Sequence, residues 1–301
     1  MRHELFTYDS DERLAERVVA FLHQGLAGDE ACVVVTTRER GAVVRAGLGG
    51  AAGSVAFLDR DEHYTRPEAV LAAYDATVRT VLRSGVAGVR VMGELPICQT
   101  RGEWDAWLSY EAMLNRAFAD RPVWILCGYD STAVPADVVE LACRAHPLIT
   151  AAQDRDHVHD GYEAPEQMVR ELRAPPISAP RLAALPLESD PRRFREALAD
   201  ALASAHVGGE RADRMLIAAG EAFANAQRHG GGLRSIRVGS MADRFVCELT
   251  DHGRGIDDPL VGYIPPKVGA NGGVGLWVAR QLTWRLELIP VADGLAVRLW
   301  V

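Results

Sequence analysis

Residues 221–276 contain three short motifs in order: EAFANAQRH at 221–229, DHGRG at 251–255 and GGVGL at 272–276. The first motif ends a helix predicted over about Glu210–His229. Glu221, Asn225 and His229 are four residues apart, so they form a polar stripe along one side of that helix. A helix that needed only solubility could place any polar residues there, and this combination of acid, amide and imidazole is therefore informative.

The second motif combines a carboxylate with two glycines at the end of a strand. Residues 245–250 (FVCELT) are predicted to form a strand that leads directly into Asp251. A carboxylate at this point can accept a hydrogen bond from the amino group of adenine. Gly253 and Gly255 let the backbone approach a base where a Cβ would clash. The alternative is an ordinary Asp-x-Gly turn.

The third motif opens another helix. Gly273 and Gly275 precede a helix predicted over Leu276–Leu282, whose free N–H groups and dipole favour phosphate. The preceding segment, 256–271, contains three prolines and two glycines, so it is predicted to be irregular.

Together the three motifs resemble the N, G1 and G2 boxes of the ATPase fold shared by gyrase, MutL and histidine kinases. Within that superfamily they most resemble the anti-sigma-factor serine kinases. The resemblance implies an ATP site with Mg²⁺ on Asn225 and Glu221 as general base. It also implies that 256–271 is the ATP lid, in which Lys267 would touch the γ-phosphate or remain an exposed loop residue. His229 would contact nucleotide or, as we favour, complete the helix.

The resemblance also implies partners: an anti-anti-sigma protein phosphorylated on serine, a sigma factor, or both, with a possible homodimer. One alternative is a module in which ATP only sets the conformation for binding a partner. Another is a histidine kinase with His157 or His159 as phosphoacceptor. No long two-helix hairpin is available to carry such a histidine, so both are expected to be solvated linker residues.

The first 150 residues alternate short apolar runs with helical patterns. The runs predicted as strands are 31–36, 54–59, 88–93 and 123–127. This alternation predicts a parallel sheet covered on both faces, with ligands collecting beyond the carboxyl ends of the strands. Near the start, where a nucleotide-binding sheet would carry a glycine-rich phosphate loop, residues 8–13 (YDSDER) are rich in acids. This half is therefore predicted not to bind ATP.

The same half resembles the MEDS family of sensory domains. The resemblance rests on His3, 8–10 (YDS), 90–94 (RVMGE), 108–115 (LSYEAMLN), 127–130 (CGYD) and 145–147 (AHP). It implies a degenerate RecA-like fold that senses an unknown small molecule. The candidate contacts for that molecule are His3, Tyr8, Glu94, Glu111, Cys127, Tyr129, Asp130 and His146.

Several of these candidates have a structural alternative. Glu94 and Glu111 could simply cap or pair; if both face one cleft, they could share a proton or grip a ligand. Cys127 and His146 could belong to a metal site, but neither shows C-x-x-C or H-x-x-H spacing. Cys127 lies within an apolar strand, so it is expected in the core.

Length and composition agree with two soluble domains. The alternating pattern predicts an α/β protein, and the two resemblances imply a RecA-like parallel sheet domain at 1–150 and an α+β sandwich of the histidine-kinase-type ATPase fold at 181–301, joined by a Pro-rich linker at 151–180. The net charge is −8 and the arginines are dispersed, so no nucleic-acid surface is expected. The apolar runs are too short to cross a membrane. Five scattered cysteines favour reduced thiols and a cytoplasmic protein.

Overall fold

The first half of the chain is built on a six-stranded parallel sheet in the computed structural model, which describes residues 1–150, 158–178, 181–264, 266 and 273–301. The strand order is β3-β2-β4-β5-β1-β6. The strands are β1 (Arg2–Tyr8), β2 (Glu30–Thr36), β3 (Val55–Asp59), β4 (Gly88–Gly93), β5 (Val123–Asp130) and β6 (Leu148–Ile149). Every pairing is parallel, which confirms the predicted α/β architecture of this half.

Helices cover both faces of this sheet. They are α1 (Asp11–Ala27), α2 (Arg38–Leu48), α3 (Arg60–His63), α4 (Pro67–Arg83), α5 (Arg101–Ala117), α6 (Ala136–Ala145) and α7 (Pro165–Glu171), with a 3-10 turn at Gly49–Ser54. Side chains alternate across each strand, so Val34, Met92 and Leu126 pack with α1 and α2 on one face. Val91 and Ile125 face α4 and α5 on the other.

The second half forms an antiparallel sheet in the order β10-β11-β9-β8-β7. Its strands are β7 (Ala183–Ala184), β8 (Leu233–Met241), β9 (Arg244–Asp251), β10 (Arg285–Val291) and β11 (Gly294–Trp300). The helices α8 (Pro191–Ser204), α9 (Gly209–Arg228) and α10 (Val274–Leu282) share one apolar core with a face of the sheet. This layered arrangement confirms the predicted α+β sandwich.

Two strands differ from the sequence expectations. The sequence also predicts a strand over residues 181–188, and this prediction is wrong in extent, because only Ala183 and Ala184 pair with β8. The Leu185 N–H still donates to the Ile236 carbonyl of β8 at 2.9 Å, but Pro186 has no N–H to donate and Leu187 is 57% exposed, so the strand ends there. Strand β8 was not predicted, because a register shift between Leu233 and Ser235 interrupts its apolar alternation.

The chain separates into two compact units, Met1–Ala174 and Pro175–Val301. Residues interpreted as linker contribute to both. Arg144 pairs with Glu163 at 2.8 Å, and also with Glu171 of α7. In the second unit, the Ile177 carbonyl accepts a 2.8 Å hydrogen bond from Arg298.

The expectation of solvated linker histidines is corrected for His159. Its ring is half-buried, with Nε2 2.9 Å from the carbonyl oxygens of both Cys143 and His146. His157 lies outside the described residues. None of the helices in the described part of the chain combines the length and apolar character that a membrane crossing needs.

Candidate functional site

The polar stripe of the first motif lies on α9. Glu221 and Asn225 are half-exposed, whereas Ala222, Phe223 and Ala226 are buried in the core of the second unit. His229 is exposed and occupies the C-cap position of the helix. This position agrees with the helix-ending role favoured for His229.

The third motif lies against this stripe. Gly273 is the N-cap of α10 and has a left-handed φ of 83°, which favours glycine. A Cβ on Gly275 would stand 2.7 Å from Glu221 Oε2 and 3.3 Å from Asn225 Nδ2. Leu276 is buried in the core and fixes the first turn of α10. The fold thus brings the acid, the amide and the start of a helix together, although they are about 50 residues apart in sequence.

The second motif lies at the end of α9. Asp251 is buried, and its Oδ1 accepts hydrogen bonds from the backbone N–H of Gly253 at 2.9 Å and of Leu295 at 3.1 Å. A Cβ on Gly253 would stand only 3.0 Å from Gly230 Cα. One carboxylate oxygen is therefore held by the backbone, and the other, Oδ2, lies against Gly230, where an added Cβ would stand 2.3 Å from it. Gly255 has a φ of 87°, so it also suits glycine.

The segment predicted to be a lid is described only in part. Residues 256–264 and 266 contain turns and no helix or strand, as expected from their composition. Arg280 of α10, which lies outside the three motifs, contacts this part of the segment: its guanidinium lies 3.7 Å from the centre of the Tyr263 ring, and Nε donates to the Val261 carbonyl at 3.4 Å. Lys267 and Gly272 lie outside the described residues.

In the first unit, five of the polar residues near the strand ends form one network, here called the Glu94 network. Its members are Tyr8, Thr36, Arg40, Glu94 and Asp130. Tyr8 and Thr36 donate hydroxyl hydrogen bonds to the Glu94 carboxylate, and Arg40 pairs with Glu94 at 3.0 Å and with Asp130. Arg40 was missed because α2 was not predicted, although Thr37 is a recognisable N-cap residue. The network is largely satisfied internally.

A second group, here called the buried cluster, consists of His3, Glu111, Cys127 and His146. Its ligand-type atoms all lie within 4.8 Å of one another, and all four residues are buried. Burial lowers the pKa of His3 to about 4 and raises the pKa of the Cys127 thiol. The Tyr129 hydroxyl, also buried, has no hydrogen-bond partner among the described residues.

Glu94 and Glu111 do not face one cleft. Glu94 continues the face of β4 that carries Met92, which packs under α1 and α2. Glu111 projects from α5 towards Cys127, on the opposite face of the sheet. The hypothesis that this pair shares a proton is therefore wrong. The eight sensory candidates separate into two groups, three in the Glu94 network and four in the buried cluster. The eighth, Tyr129, lies on the same face of the sheet as the buried cluster, with its ring against His146.

Comparison with protein families assigns both halves. Residues 2–147 match the MEDS model, described as the methanogen/methylotroph, DcmR sensory domain. Residues 186–300 match the histidine kinase-like ATPase domain. A comparison with curated proteins gave no match. The chain is therefore a signalling regulator in which a MEDS sensory domain is joined to a histidine kinase-like ATPase domain.

Proposed function

We propose that the ATPase domain binds ATP with Mg²⁺ and phosphorylates a serine of an anti-anti-sigma partner, under control of a small-molecule signal at the MEDS domain. A sigma factor is a further proposed partner. The observation that carries the proposal is the close packing of Gly275, in the first turn of α10, against the side chains of Glu221 and Asn225. It supports a site in which metal, general base and phosphate meet.

Each group has a distinct task in this proposal. The Asn225 amide oxygen is a hard ligand that binds Mg²⁺ without adding negative charge next to the triphosphate. The first N–H groups of α10 bind phosphate oxygens. Asp251 Oδ2 accepts a hydrogen bond from the adenine amino group. Glu221 takes the serine proton as the hydroxyl oxygen attacks the γ-phosphorus and ADP leaves.

The test is ATP-dependent transfer of phosphate to serine in anti-anti-sigma proteins, detected by mass spectrometry with the full-length chain. Glu221→Gln is expected to slow transfer by about 10²- to 10⁴-fold while ATP still binds. The matched control is Glu210→Gln, which removes a carboxylate from the exposed first turn of the same helix.

Two outcomes would contradict this proposal and indicate a different function. If ATP binds but no serine is labelled, and partner regulation survives Glu221→Ala but not Asn225→Asp, the domain is a nucleotide-gated binding module. Acid-labile phosphohistidine on the chain itself would instead identify a histidine kinase.

A further inference from the structure

The buried cluster is assembled from distant parts of the first unit. His3 comes from β1, Glu111 from the middle of α5, Cys127 from β5, and His146 directly follows α6. His3 Nε2 lies 3.0 Å from Glu111 Oε2 and 3.3 Å from Cys127 Sγ. Glu111 Oε2 lies 3.2 Å from Cys127 Sγ and 3.3 Å from His146 Nε2. Four possible ligand atoms therefore converge in the interior.

Backbone and amide contacts fix which nitrogen of each imidazole carries hydrogen. Asn115 donates through Nδ2 to the Ala145 carbonyl at 2.8 Å, so its Oδ1 accepts from His3 Nδ1 at 3.1 Å. His146 Nδ1 lies 2.7 Å from the Ala142 carbonyl, which can only accept. In the neutral rings both Nε2 atoms therefore present lone pairs to the cluster. This outer support is the arrangement typical of metal-binding histidines.

The single thiol hydrogen of Cys127 can be donated either to Glu111 Oε2 or to His3 Nε2, so it cannot satisfy all the acceptors of the cluster. His146 Nε2 forms no hydrogen bond of good geometry among the described residues, although Glu111 Oε2 is 3.3 Å away. A carboxylate oxygen is itself an acceptor, so it cannot satisfy the lone pair of the neutral His146 imidazole that faces it. Buried unsatisfied polar groups cost about 1–3 kcal/mol each. A cation between the imidazole and the carboxylate would bind the lone pairs of both.

The distances suit a tetrahedral ion. Bonds of about 2.0–2.3 Å to nitrogen, oxygen and sulfur place neighbouring ligands about 3.3–3.7 Å apart. Four of the six separations among the ligand atoms are 3.0–3.3 Å and all six lie within 4.8 Å, so a small adjustment of the side chains would admit the ion. A carboxylate and a thiolate together balance a divalent charge, and imidazole with thiolate favours the zinc class over Mg²⁺ or Ca²⁺.

We propose that His3, Glu111, Cys127 and His146 bind a divalent transition-metal ion of the zinc class inside the MEDS domain. Binding releases the Cys127 thiol proton and forms one bond from each of Nε2, Nε2, Sγ and Oε2. A cavity of about 20 Å³ adjoins the site, and Glu111 and Cys127 contribute to its otherwise aromatic and apolar wall. The cavity gives space beside the ion for a ligand about the size of water.

The test uses the full-length chain, stripped with a chelator and titrated with Co²⁺ in the absence of nucleotide. We expect about one tightly bound Co²⁺ per chain, with the intense visible bands of tetrahedral cobalt and a near-ultraviolet thiolate charge-transfer band. Cys127→Ser is expected to abolish the charge-transfer band. Cys98→Ser, which alters a half-buried cysteine elsewhere in the same unit, is expected to retain it. Asn115→Ala is expected to weaken binding by about 10- to 100-fold through loss of its support of His3.

X-ray absorption of the wild-type zinc protein keeps the test decisive if Cys127→Ser fails to fold. The expected first shell contains one sulfur at about 2.3 Å with nitrogen and oxygen ligands. Absence of tight binding, a shell without sulfur, or a charge-transfer band that survives in folded Cys127→Ser would each overturn the proposal.

Discussion

Gly275 lies so close to Glu221 that a Cβ on the glycine would come within 2.7 Å of the carboxylate oxygen Oε2. The first and third motifs are therefore parts of one site. The atom in the way is the end of a flexible side chain, so an added methyl group would displace Glu221 rather than prevent folding. Glycine at this position thus serves the placement of the carboxylate.

Gly275→Ala is expected to lower ATP turnover by about 100-fold, because a misplacement of about 1 Å is enough to cost that factor. The matched control is Gly220→Ala in α9, where an added Cβ meets nothing within 4 Å. The control should keep wild-type turnover and gain up to about 1 kcal/mol of stability. Turnover assays and urea unfolding of both variants measure these effects. Equal activity in the two variants would contradict the assignment of Glu221.

Asp251→Asn separates adenine recognition from structure. The amide keeps an Oδ1 for the N–H groups of Gly253 and Leu295, so the fold should persist. In the proposed complex it replaces Oδ2 with a donor that would face the adenine amino group, and an unpaired donor there costs about 1–3 kcal/mol, or about 5- to 150-fold in affinity. Calorimetric titration with ATP measures the loss. Asp243→Asn, at the exposed β8–β9 turn, should bind like the wild type.

Arg298 holds the outer face of the second sheet. It pairs with Glu248 at 2.7 Å and with Glu287 at 3.5 Å, and both carboxylates are buried. Arg298→Ala would remove the closest partner of Glu248 but leave Glu287 paired with Arg285 at 2.8 Å, so we expect a loss of about 3 kcal/mol in the free energy of unfolding, the lower end of the range for a broken buried pair. Arg234→Ala, on the exposed side of β8, should cost less than about 0.5 kcal/mol. Urea unfolding measures the difference, with hydrogen exchange of β11 to identify the unit affected.

Acidification should loosen α7. The hydrogen bond from Arg144 holds the pKa of Glu171 below its ordinary value of 4.5. Because the pKa is lower in the folded state, the charged pair stabilises the docked helix above about pH 4.5, and this contribution is lost as the pH falls further. Hydrogen exchange of α7 at pH 7 and pH 4 measures it. If Arg144→Ala shows the same pH response as the wild type, the ion pair does not control docking.

The predictable parts of the fold were those with strong local signals. The apolar strands β2, β4 and β5 alternate with amphipathic helices, and this alternation was enough to predict the parallel sheet. Strand β8 escaped because its pairing shifts between Leu233 and Ser235. The strand predicted over 181–188 has only two paired residues in the structure. A longer strand would need further hydrogen bonds to β8, and Pro186 has no N–H to donate.

The candidate sites show the same limit. The spacing of Glu221 and Asn225 on one helix is a local property, so the sequence revealed that stripe directly. His3 and Cys127 are separated by 124 residues, and only the pairing of β1 with β5 places them together. Metal-type spacing rules address ligands close in sequence, so they could not detect this cluster. The opposite orientation of Glu94 and Glu111 likewise depends on tertiary packing.

The most direct measurement is calorimetric titration of the full-length chain with ATP, with and without Mg²⁺. We predict one ATP site whose affinity is raised by Mg²⁺. Asn225→Asp should weaken ATP binding by tenfold or more, since a carboxylate adds negative charge next to the triphosphate, about 1.4 kcal/mol. Gln227→Glu makes the same amide-to-acid change two residues away on the exposed side of α9 and should have little effect. Absence of ATP binding by the wild type, or equal binding by the two variants, would contradict an ATP–Mg²⁺ site on Asn225.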